Sequence, residues 1–262
     1  MTQRTLLLTG AVGGMGRACA RLLGANHDLI LTDVSASALA AFADELTQEG
    51  YRVREARAGD LGDDALLQAL VADLGGVAPF TLLHTAGLSP AMADWRRIME
   101  VNLQATVRLI DAVEPVLRPG SVGILIASTA GHMMPPIPEV QPLFDQPLAP
   151  DFLDRLEPVI EAMAAGGVAA GAEGLSYSSS KQAVIRLVEQ RARKWGQGGA
   201  RIASISPGVV LTPMGRRELA ETRGAAETRD AAPVGRAGRA MDIALAAQFL
   251  ASEAASFITG CD

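Results

Sequence analysis

Cysteine and histidine are scarce in this chain of 262 residues. The two cysteines, Cys19 and Cys261, lie far apart, and the three histidines share no spacing typical of metal ligands. Neither a disulfide framework nor a metal site is therefore predicted. No apolar run is long enough to span a bilayer, and the N-terminal apolar run is too short for a signal peptide. We expect a cytoplasmic protein that has no membrane partner.

Positive charge is also in short supply. The chain has 23 Lys and Arg residues against 29 Asp and Glu residues, which gives a net charge of -6. Nucleic acid is not an expected partner, because binding to phosphates requires clustered positive charge. Hydrophobic residues make up 49% of the chain, which is enough to form a sizeable core.

The apolar residues fall into short runs that alternate with helical patterns. The runs cover residues 5–10, 29–34, 80–87, 122–129 and 201–208. The helical patterns cover residues 14–25, 35–49, 63–74, 94–117, 178–197 and 240–251. Buried strands that alternate with helices predict an α/β Rossmann fold, in which a doubly wound parallel sheet has helices on both faces. Because we find no repeat and no linker, residues 1–262 are predicted to form a single domain.

Residues 132–175 interrupt this alternation with a proline-rich stretch and a short amphipathic segment. They follow a predicted strand, and ligands of parallel sheets bind beyond the carboxyl ends of the strands. One hypothesis is a lid over an apolar substrate, built from Met133, Met134, Ile137, Leu143 and Phe144, with further pocket walls from Leu88, Met92, Trp95 and Met214. The alternative is that these apolar residues pack the insertion onto the body of the protein or form a subunit interface.

The sequence TGAVGGMG lies between the first apolar run and the first helical pattern. Gly10, Gly14 and Gly16 allow a tight turn and let a pyrophosphate approach the N-terminus of the following helix. The alternative is a glycine-rich turn without a ligand.

Asp33 ends the second apolar run, 17 residues after Gly16. A carboxylate there accepts hydrogen bonds from an adenosine ribose and repels a 2′-phosphate. Positions 13 and 34 are Gly and Val, so neither offers that phosphate a cation, and NAD is favoured over NADP. The alternative is an aspartate that caps a helix or a turn.

Tyr177 and Lys181 are four residues apart in the sequence YSSSK, and residues with this spacing share a helix face. A fixed ammonium near a phenol favours the phenolate and lowers its pKa toward working pH. Such a tyrosine can take a proton from an alcohol or give one to a ketone. The alternative is an amphipathic helix with a surface lysine.

Taken together, these motifs resemble the classical short-chain dehydrogenase/reductase family over nearly the whole chain. The resemblance also rests on GDL at 59–61, HTAG at 84–87, VNL at 101–103, IAST at 126–129 and SPGVVLTPM at 206–214. The long insertion and PVGRAG at 233–238 are more loosely similar to bacterial 3α-hydroxysteroid dehydrogenase/carbonyl reductases.

The resemblance implies roles for individual residues. It implies that Ser128 orients the substrate oxygen, that Lys181 also bonds the nicotinamide ribose, and that Asn102 holds a water for proton relay. The implied catalytic residues are Asn102, Ser128, Tyr177 and Lys181. The cofactor-binding residues, from the glycine loop and the family motifs together, are Gly10, Gly14, Met15, Gly16, Asp33, Asp60, Leu61, Ala86, Gly87, Tyr177, Lys181, Pro207, Gly208, Val210 and Thr212. Asp60 would contact the adenine, and Thr212 would contact the nicotinamide carboxamide.

The chain departs from the family pattern in three places. His84 and Thr85 replace two asparagines that normally brace the central strand, so the bracing must differ here. Ser128 and Tyr177 are 49 residues apart, where most members have a much shorter segment. The sequence stops at FITGCD, where family members continue into a last strand.

We therefore expect an NAD(H)-dependent enzyme that interconverts a secondary alcohol and a ketone on a hydrophobic cyclic, steroid-like substrate. The alternatives are a dehydrogenase for a non-steroid alcohol, such as a terpenoid, a dihydrodiol or an acyl substrate, and a non-catalytic dinucleotide-binding sensor. In the family, the helices corresponding to 94–117 and 178–197 are common subunit contacts, so a homodimer or homotetramer is expected.

Overall fold

Six parallel strands form the centre of the structure. A computed structural model describes residues 4–75, 78–134, 140–166, 170–221 and 223–262. The strands are β1 (Arg4–Thr9), β2 (His27–Asp33), β3 (Val53–Ala58), β4 (Phe80–His84), β5 (Val122–Ile126) and β6 (Arg201–Ile205). Their order is β3-β2-β1-β4-β5-β6, and every pairing is parallel. The order reverses between β1 and β4, which opens a crevice beyond the carboxyl ends of these strands.

Helices follow the strands along the chain. They are α1 (Gly14–Gly24), α2 (Ala36–Gln48), α3 (Asp64–Asp73), α4 (Trp95–Met99), α5 (Ala105–Val113), α6 (Ala130–Met133), α7 (Gln141–Phe144), α8 (Phe152–Ala165), α9 (Gly171–Gln197), α10 (Pro213–Glu221), α11 (Arg223–Asp230) and α12 (Ala240–Ala251). The sequence did not predict α10 and α11, whose charged residues mask any apolar face.

The core consists of two layers, one on each face of the sheet. Successive residues of a strand point to opposite faces, so Leu7 packs with α3, α5 and α9, whereas Leu6 and Leu8 pack with α1, α2 and α12. The predicted α/β Rossmann fold with helices on both faces is confirmed.

The strand β3 is absent from the sequence prediction. Four of its six residues are exposed, because it lies at the edge of the sheet and pairs with β2 alone. An edge strand of this kind needs no continuous apolar run.

The segment 94–117 is less regular than its apolar spacing suggests. Between α4 and α5, residues Glu100–Gln104 form a π-helical turn, and a 3₁₀ turn at Glu114–Val116 follows α5. Single π-helical turns within helices are frequent at functional sites.

The insertion packs largely onto the body of the protein. Phe152, Leu156 and Ile160 of α8 are buried in the layer that contains α9. Arg96 of α4 forms ion pairs with two carboxylates of α8, at 3.2 Å and 2.7 Å. The prolines at 135, 136 and 138 and the predicted lid residue Ile137 lie outside the described residues.

Two of the predicted lid residues pack in or against the hydrophobic core. Leu143 is buried, and Phe144 meets the Phe152 ring edge-on at 6.1 Å. Leu143 is part of the hydrophobic layer around α9, and Phe144 packs against it. Leu143 and Phe144 therefore contact the body of the protein, whereas Met133 is 69% exposed.

The residues after α12 run along the free side of β6. Gly260 donates a backbone hydrogen bond to Ile202 O at 2.7 Å, and Ser204 donates one to Cys261 O at 3.0 Å. The segment therefore takes the place beside β6 where a last strand is expected from the resemblance.

Across the described ranges, we find no helix both long and apolar enough to cross a membrane.

Candidate active site

A cavity of about 320 Å³ lies at the crevice between β1 and β4. Most of its walls come from the loops that follow the first four strands, as expected for a ligand site of a parallel sheet. The residues that line it are Gly10, Val12, Gly13, Thr32, Asp33, Val34, Gly59, Asp60, Leu61, Thr85, Ala86, Gly87, Leu88, Met92, Arg97, Val101, Ala105 and Met214. Six of the predicted cofactor-binding residues are among them.

The glycine loop has the shape of a phosphate cradle. Gly10 has a φ of 66°, and a Cβ added to Gly16 would lie 2.2 Å from Gly10 O, so larger residues do not fit either position. The eleven-residue helix α1 begins at Gly14, and its free N–H groups and positive dipole end face the loop. These features fit a dinucleotide pyrophosphate.

Asp33 forms the wall of the cavity at the end of β2. Its carboxylate accepts hydrogen bonds from the backbone N–H groups of Val12 at 3.1 Å and Ser35 at 3.3 Å. These bonds hold the carboxylate beside the glycine loop. The neighbouring Val34 is 73% exposed and brings no charge to this wall.

Asp60, which follows β3, also lines the cavity, and both of its carboxylate oxygens accept hydrogen bonds. Its Oδ1 accepts from Gly62 N–H at 2.8 Å, and its Oδ2 accepts from the Arg97 guanidinium. The hydrogen bond from Arg97 holds the pKa of Asp60 below its usual value. Arg97 also donates to Glu100 at 3.0 Å. Sequence analysis missed Arg97, because no motif marks it.

Asn102 lies in the π-helical turn and is 1% exposed. Its Oδ1 accepts from Leu88 N–H at 2.8 Å, and its Nδ2 donates to Leu88 O at 3.0 Å. The amide also donates to Ser180 Oγ at 3.3 Å. Asn102 therefore ties the loop after β4 to α9, next to Lys181.

Lys181 is buried, and its Nζ donates to Ile126 O at 2.9 Å. A Cβ on Gly87 would lie 3.4 Å from Nζ and 3.3 Å from Asn102 Oδ1, so the amine and the amide face the same small volume. Burial lowers the pKa of Lys181 to about 8, although the negative charge of Glu218 opposes this shift.

Tyr177 lies one helical turn before Lys181. Burial raises the pKa of its phenol to about 12, a hydrogen bond with Ser128 lowers it, and the charge of Glu218 raises it. The sequence argument predicts the opposite direction, and the structure contradicts it. Burial of the phenol raises its pKa by more than the ammonium of Lys181 lowers it. The Lys181 Nζ lies 5.9 Å from the ring centre.

Glu218 is a further charged residue that sequence analysis missed. It lies on α10, one turn after the cavity residue Met214. Burial raises its pKa, while Ser89 and Lys181 lower it. Its charge acts on both Tyr177 and Lys181. No local signal in the sequence reveals this, because the placement of α10 depends on the tertiary structure.

The segment 206–214 lies against the glycine loop without lining the cavity, apart from Met214. A Cβ on Gly14 would lie 2.7 Å from Thr212 Cβ, and Thr212 Oγ1 accepts from Gly215 N–H at 3.1 Å. Pro207 O accepts from Thr129 N–H at 3.0 Å. Gly208 is exposed, Val210 is buried, and Met15, in the first turn of α1, packs against the core.

Three of the four residues predicted to form pocket walls line the cavity. Leu88, Met92 and Met214 line the cavity, whereas Trp95 packs against the core and accepts a hydrogen bond from Ser176 on its backbone oxygen. Within the described ranges we find no cluster of three or more His, Cys, Asp or Glu residues that could hold a metal ion.

Comparisons with known proteins agree with this geometry. Residues 4–139 match the family model described as short chain dehydrogenase, and residues 159–262 match that described as Enoyl-(Acyl carrier protein) reductase. The chain is 30% identical to galactitol 2-dehydrogenase (L-tagatose-forming) of Cereibacter sphaeroides, over 97% of this chain and 89% of the relative. It is 29% identical to 3-alpha-hydroxysteroid dehydrogenase/carbonyl reductase of Comamonas testosteroni, over 97% of this chain and 92% of the relative.

A solved structure shows the same fold. The short-chain dehydrogenase/reductase SDR:Glucose/ribitol dehydrogenase of Brucella melitensis matches with a TM-score of 0.75 and 28% identity, over 99% of this chain and 93% of that one. The family model of residues 4–139 covers more than half of the chain. This protein belongs to the classical short-chain dehydrogenase/reductase family, whose members are nicotinamide-dinucleotide oxidoreductases of alcohols and ketones.

Proposed function

We propose that the protein is an NAD(H)-dependent dehydrogenase that interconverts a secondary alcohol and a ketone. The observation that supports NAD most directly is Asp33, whose carboxylate lines the cavity beside the glycine loop. A 2′-phosphate at this wall would meet negative charge. Arg97, the one cation among the described lining residues, is already paired with Asp60 and Glu100.

The residues of the site would have different roles in proton transfer. Ser128 is close enough to Tyr177 to lower the pKa of its phenol, and both hydroxyl groups would bond the substrate oxygen. The Tyr177 hydroxyl, protonated at neutral pH, can give its proton to a ketone oxygen as a general acid. Lys181 lies one helical turn after it and would pass the replacement proton, which would come from solvent through a water held by Asn102. The nicotinamide cofactor, when bound, supplies the redox chemistry.

We propose a hydrophobic cyclic substrate, because Leu88, Met92 and Met214 give the nicotinamide end of the cavity apolar walls. The similarity to a hydroxysteroid dehydrogenase supports this class. A second candidate is a substrate with additional hydroxyl groups. The galactitol relative belongs to that class by its name.

The sequence alone also allows a non-catalytic dinucleotide-binding sensor. Such a protein would need the cavity but not the cluster of Asn102, Ser128, Tyr177 and Lys181. The Lys181 amine and the Asn102 amide face one small volume, and Ser128 acts on the Tyr177 phenol. This arrangement supports the enzyme.

We propose that the protein forms a homodimer or homotetramer. The outer side of α12 exposes Met241, Leu245 and Phe249, and Phe257 beyond it is fully exposed. A helix that is apolar on all sides is normally buried. In contrast, α8 covers part of α4 and α9, which were the expected subunit contacts.

The test is absorbance at the nicotinamide band with NAD(H) and NADP(H), on a panel of steroids, simple cyclic ketones and polyols. We expect NAD-selective turnover of cyclic substrates, and no turnover by Tyr177→Phe although it still binds NADH. Tyr51→Phe is the matched control, because Tyr51 packs near α1, away from the cavity. Preference for NADP would contradict the Asp33 argument. Binding of NADH without turnover of any substrate would favour the sensor.

A further inference from the structure

His84 is a buried polar side chain that the proposed chemistry does not use. It ends β4 in the middle of the sheet and is 2% exposed. The family resemblance places asparagines at positions 84 and 85, so the contacts of His84 show how this chain replaces them.

Both ring nitrogens of His84 have hydroxyl partners. Thr9 Oγ1 lies 2.7 Å from Nδ1, and Thr106 Oγ1 lies 2.8 Å from Nε2. Thr106 Oγ1 also lies 2.8 Å from the backbone oxygen of Asn102. The imidazole therefore connects the end of β1 with the π-helical turn that contains Asn102.

The direction of each hydrogen bond in this series follows from the carbonyl group. A carbonyl can only accept, so Thr106 gives its single hydroxyl proton to Asn102 O. Thr106 Oγ1 must then accept from the His84 ring, which places the ring proton on Nε2. A neutral imidazole has one proton, so Nδ1 accepts from the Thr9 hydroxyl.

The surroundings keep the His84 ring neutral. Burial, with a smaller contribution from the charge of Lys181, lowers its pKa to about 3. A protonated ring would have a second N–H group facing Thr9, and the series of hydrogen bonds would lose its single direction.

Each end of this series is attached to the active site. A threonine hydroxyl that bonds the carbonyl four residues earlier bends a helix, and here that carbonyl belongs to Asn102 in the π-helical turn. At the other end, Thr85 Oγ1 donates to Thr9 O at 2.8 Å and to Gly10 O at 3.2 Å. The residues at positions 84 and 85 thus hold the start of the glycine loop and the turn of Asn102 together.

We propose that His84 is a positioning residue for Asn102. Its Nε2–H tautomer orients Thr106, and Thr106 fixes the turn that presents the Asn102 amide beside Lys181. The effect on turnover rests on the proposed function, in which Lys181 passes a proton through a water held by Asn102. The tautomer and the placement of Asn102 do not depend on that function.

The tautomer can be measured without substrate or cofactor. Proton–nitrogen correlation spectra of isotope-labelled protein distinguish a protonated ring nitrogen from a bare one, and His84→Asn identifies which signals belong to this ring. We expect the Nε2–H tautomer with no titration across about pH 5 to 8. An Nδ1–H tautomer, or titration at an ordinary histidine pKa, would overturn the assignment.

The positioning role is tested with two substitutions at Thr106. Thr106→Val keeps the shape and removes the hydroxyl, whereas Thr106→Ser keeps the hydroxyl and removes a methyl group. The Leu88 amide donates to Asn102 Oδ1, so its hydrogen exchange reports on Asn102. We expect Thr106→Val to accelerate this exchange about tenfold or more, and Thr106→Ser to leave it near the wild-type rate. Equal exchange in the two variants would contradict the proposal.

Turnover gives a second readout. Thr106→Val should lower kcat roughly 10- to 100-fold with little change in the affinity for NADH, and Thr106→Ser should restore kcat. A loss in Thr106→Ser alone would indicate packing instead of hydrogen bonding. If the wild-type protein turns over no substrate, the proposed function fails, while exchange and tautomer still decide the role of His84.

Discussion

The Lys181 amine lies 5.9 Å from the centre of the Tyr177 ring and donates its hydrogen bond to the Ile126 carbonyl. The pair is therefore close, but the amine is directed into the backbone of β5. Because the amine is directed away from the phenol, burial has the largest effect on the pKa of Tyr177 and raises it to about 12.

Our first prediction concerns this phenol. The chain has two tyrosines, so Tyr51→Phe leaves Tyr177 as the single tyrosine, and its phenolate absorbance can be titrated directly. We expect a pKa near 12 for protein without added cofactor. Adding Glu218→Gln should lower this pKa, because the negative charge of Glu218 disfavours the phenolate.

The control for this titration is Glu221→Gln, which removes an exposed carboxylate at the end of the same helix. It should leave the phenolate titration unchanged. An equal shift in both variants would show that Glu218 has no special proximity to Tyr177.

Lys181→Met is predicted to stabilise the fold while destroying activity. The pKa of Lys181 is about 8 in the folded protein against 10.5 for an unperturbed lysine. The unfolded chain therefore binds more protons between these values, and stability rises with pH across that window. Below about pH 8 the substitution should raise the free energy of unfolding by on the order of 3 kcal/mol.

Urea unfolding at several pH values measures this gain, which should disappear by about pH 10.5. A gain that is independent of pH would show that the packing of methionine causes it, not the loss of a buried charge. Lys194→Met serves as the control, since Lys194 is paired with the buried Glu114 and its replacement should not stabilise the protein.

Asp33→Ser is predicted to shift cofactor selectivity toward NADP(H). Removing the carboxylate removes the repulsion of a 2′-phosphate, and we expect the NADPH to NADH ratio of kcat/KM to rise roughly 10- to 100-fold, or about 1.4 to 2.7 kcal/mol. Asp44→Ser removes an equal charge from an exposed position on α2. A similar rise in that variant would assign the effect to net charge.

Leu245→Glu is predicted to dissociate the protein into monomers. Leu245 is the centre of the exposed apolar stripe on α12 and is 52% exposed, so a carboxylate there would be buried in any interface that covers the stripe. Light scattering after size exclusion measures the mass. Val234→Glu introduces the same charge at a residue that is 77% exposed and outside α12, and it should leave the assembly intact.

The glycine loop, Asp33, Ser128 and the pair of Tyr177 and Lys181 could be identified from the sequence. Each lies at the end of an apolar run, in the turn after one, or at a fixed spacing on a helix, so local pattern and family resemblance were sufficient. The roles assigned to them remain predictions.

The residues that sequence analysis missed lack such local marks. Glu218 and Arg97 interact with residues that are distant in the sequence. The strand β3 is an exposed edge strand without an apolar run. His84 was noted as a departure from the family, but its contacts with Thr9 and Thr106 span 75 and 22 residues. Such contacts become visible only when the fold brings the segments together.

The segment that runs along β6 also bears on solubility. A sheet edge with unpaired N–H and C=O groups is a template for association with another chain, and Gly260 and Cys261 occupy such groups on β6. At the other edge, β3 has Arg54, Glu55 and Arg57, charges that discourage pairing. The two edges of the sheet are thus protected from strand addition in different ways: β6 by a paired segment and β3 by charged side chains. Loss of residues 258–262 would expose β6 to intermolecular strand addition and aggregation.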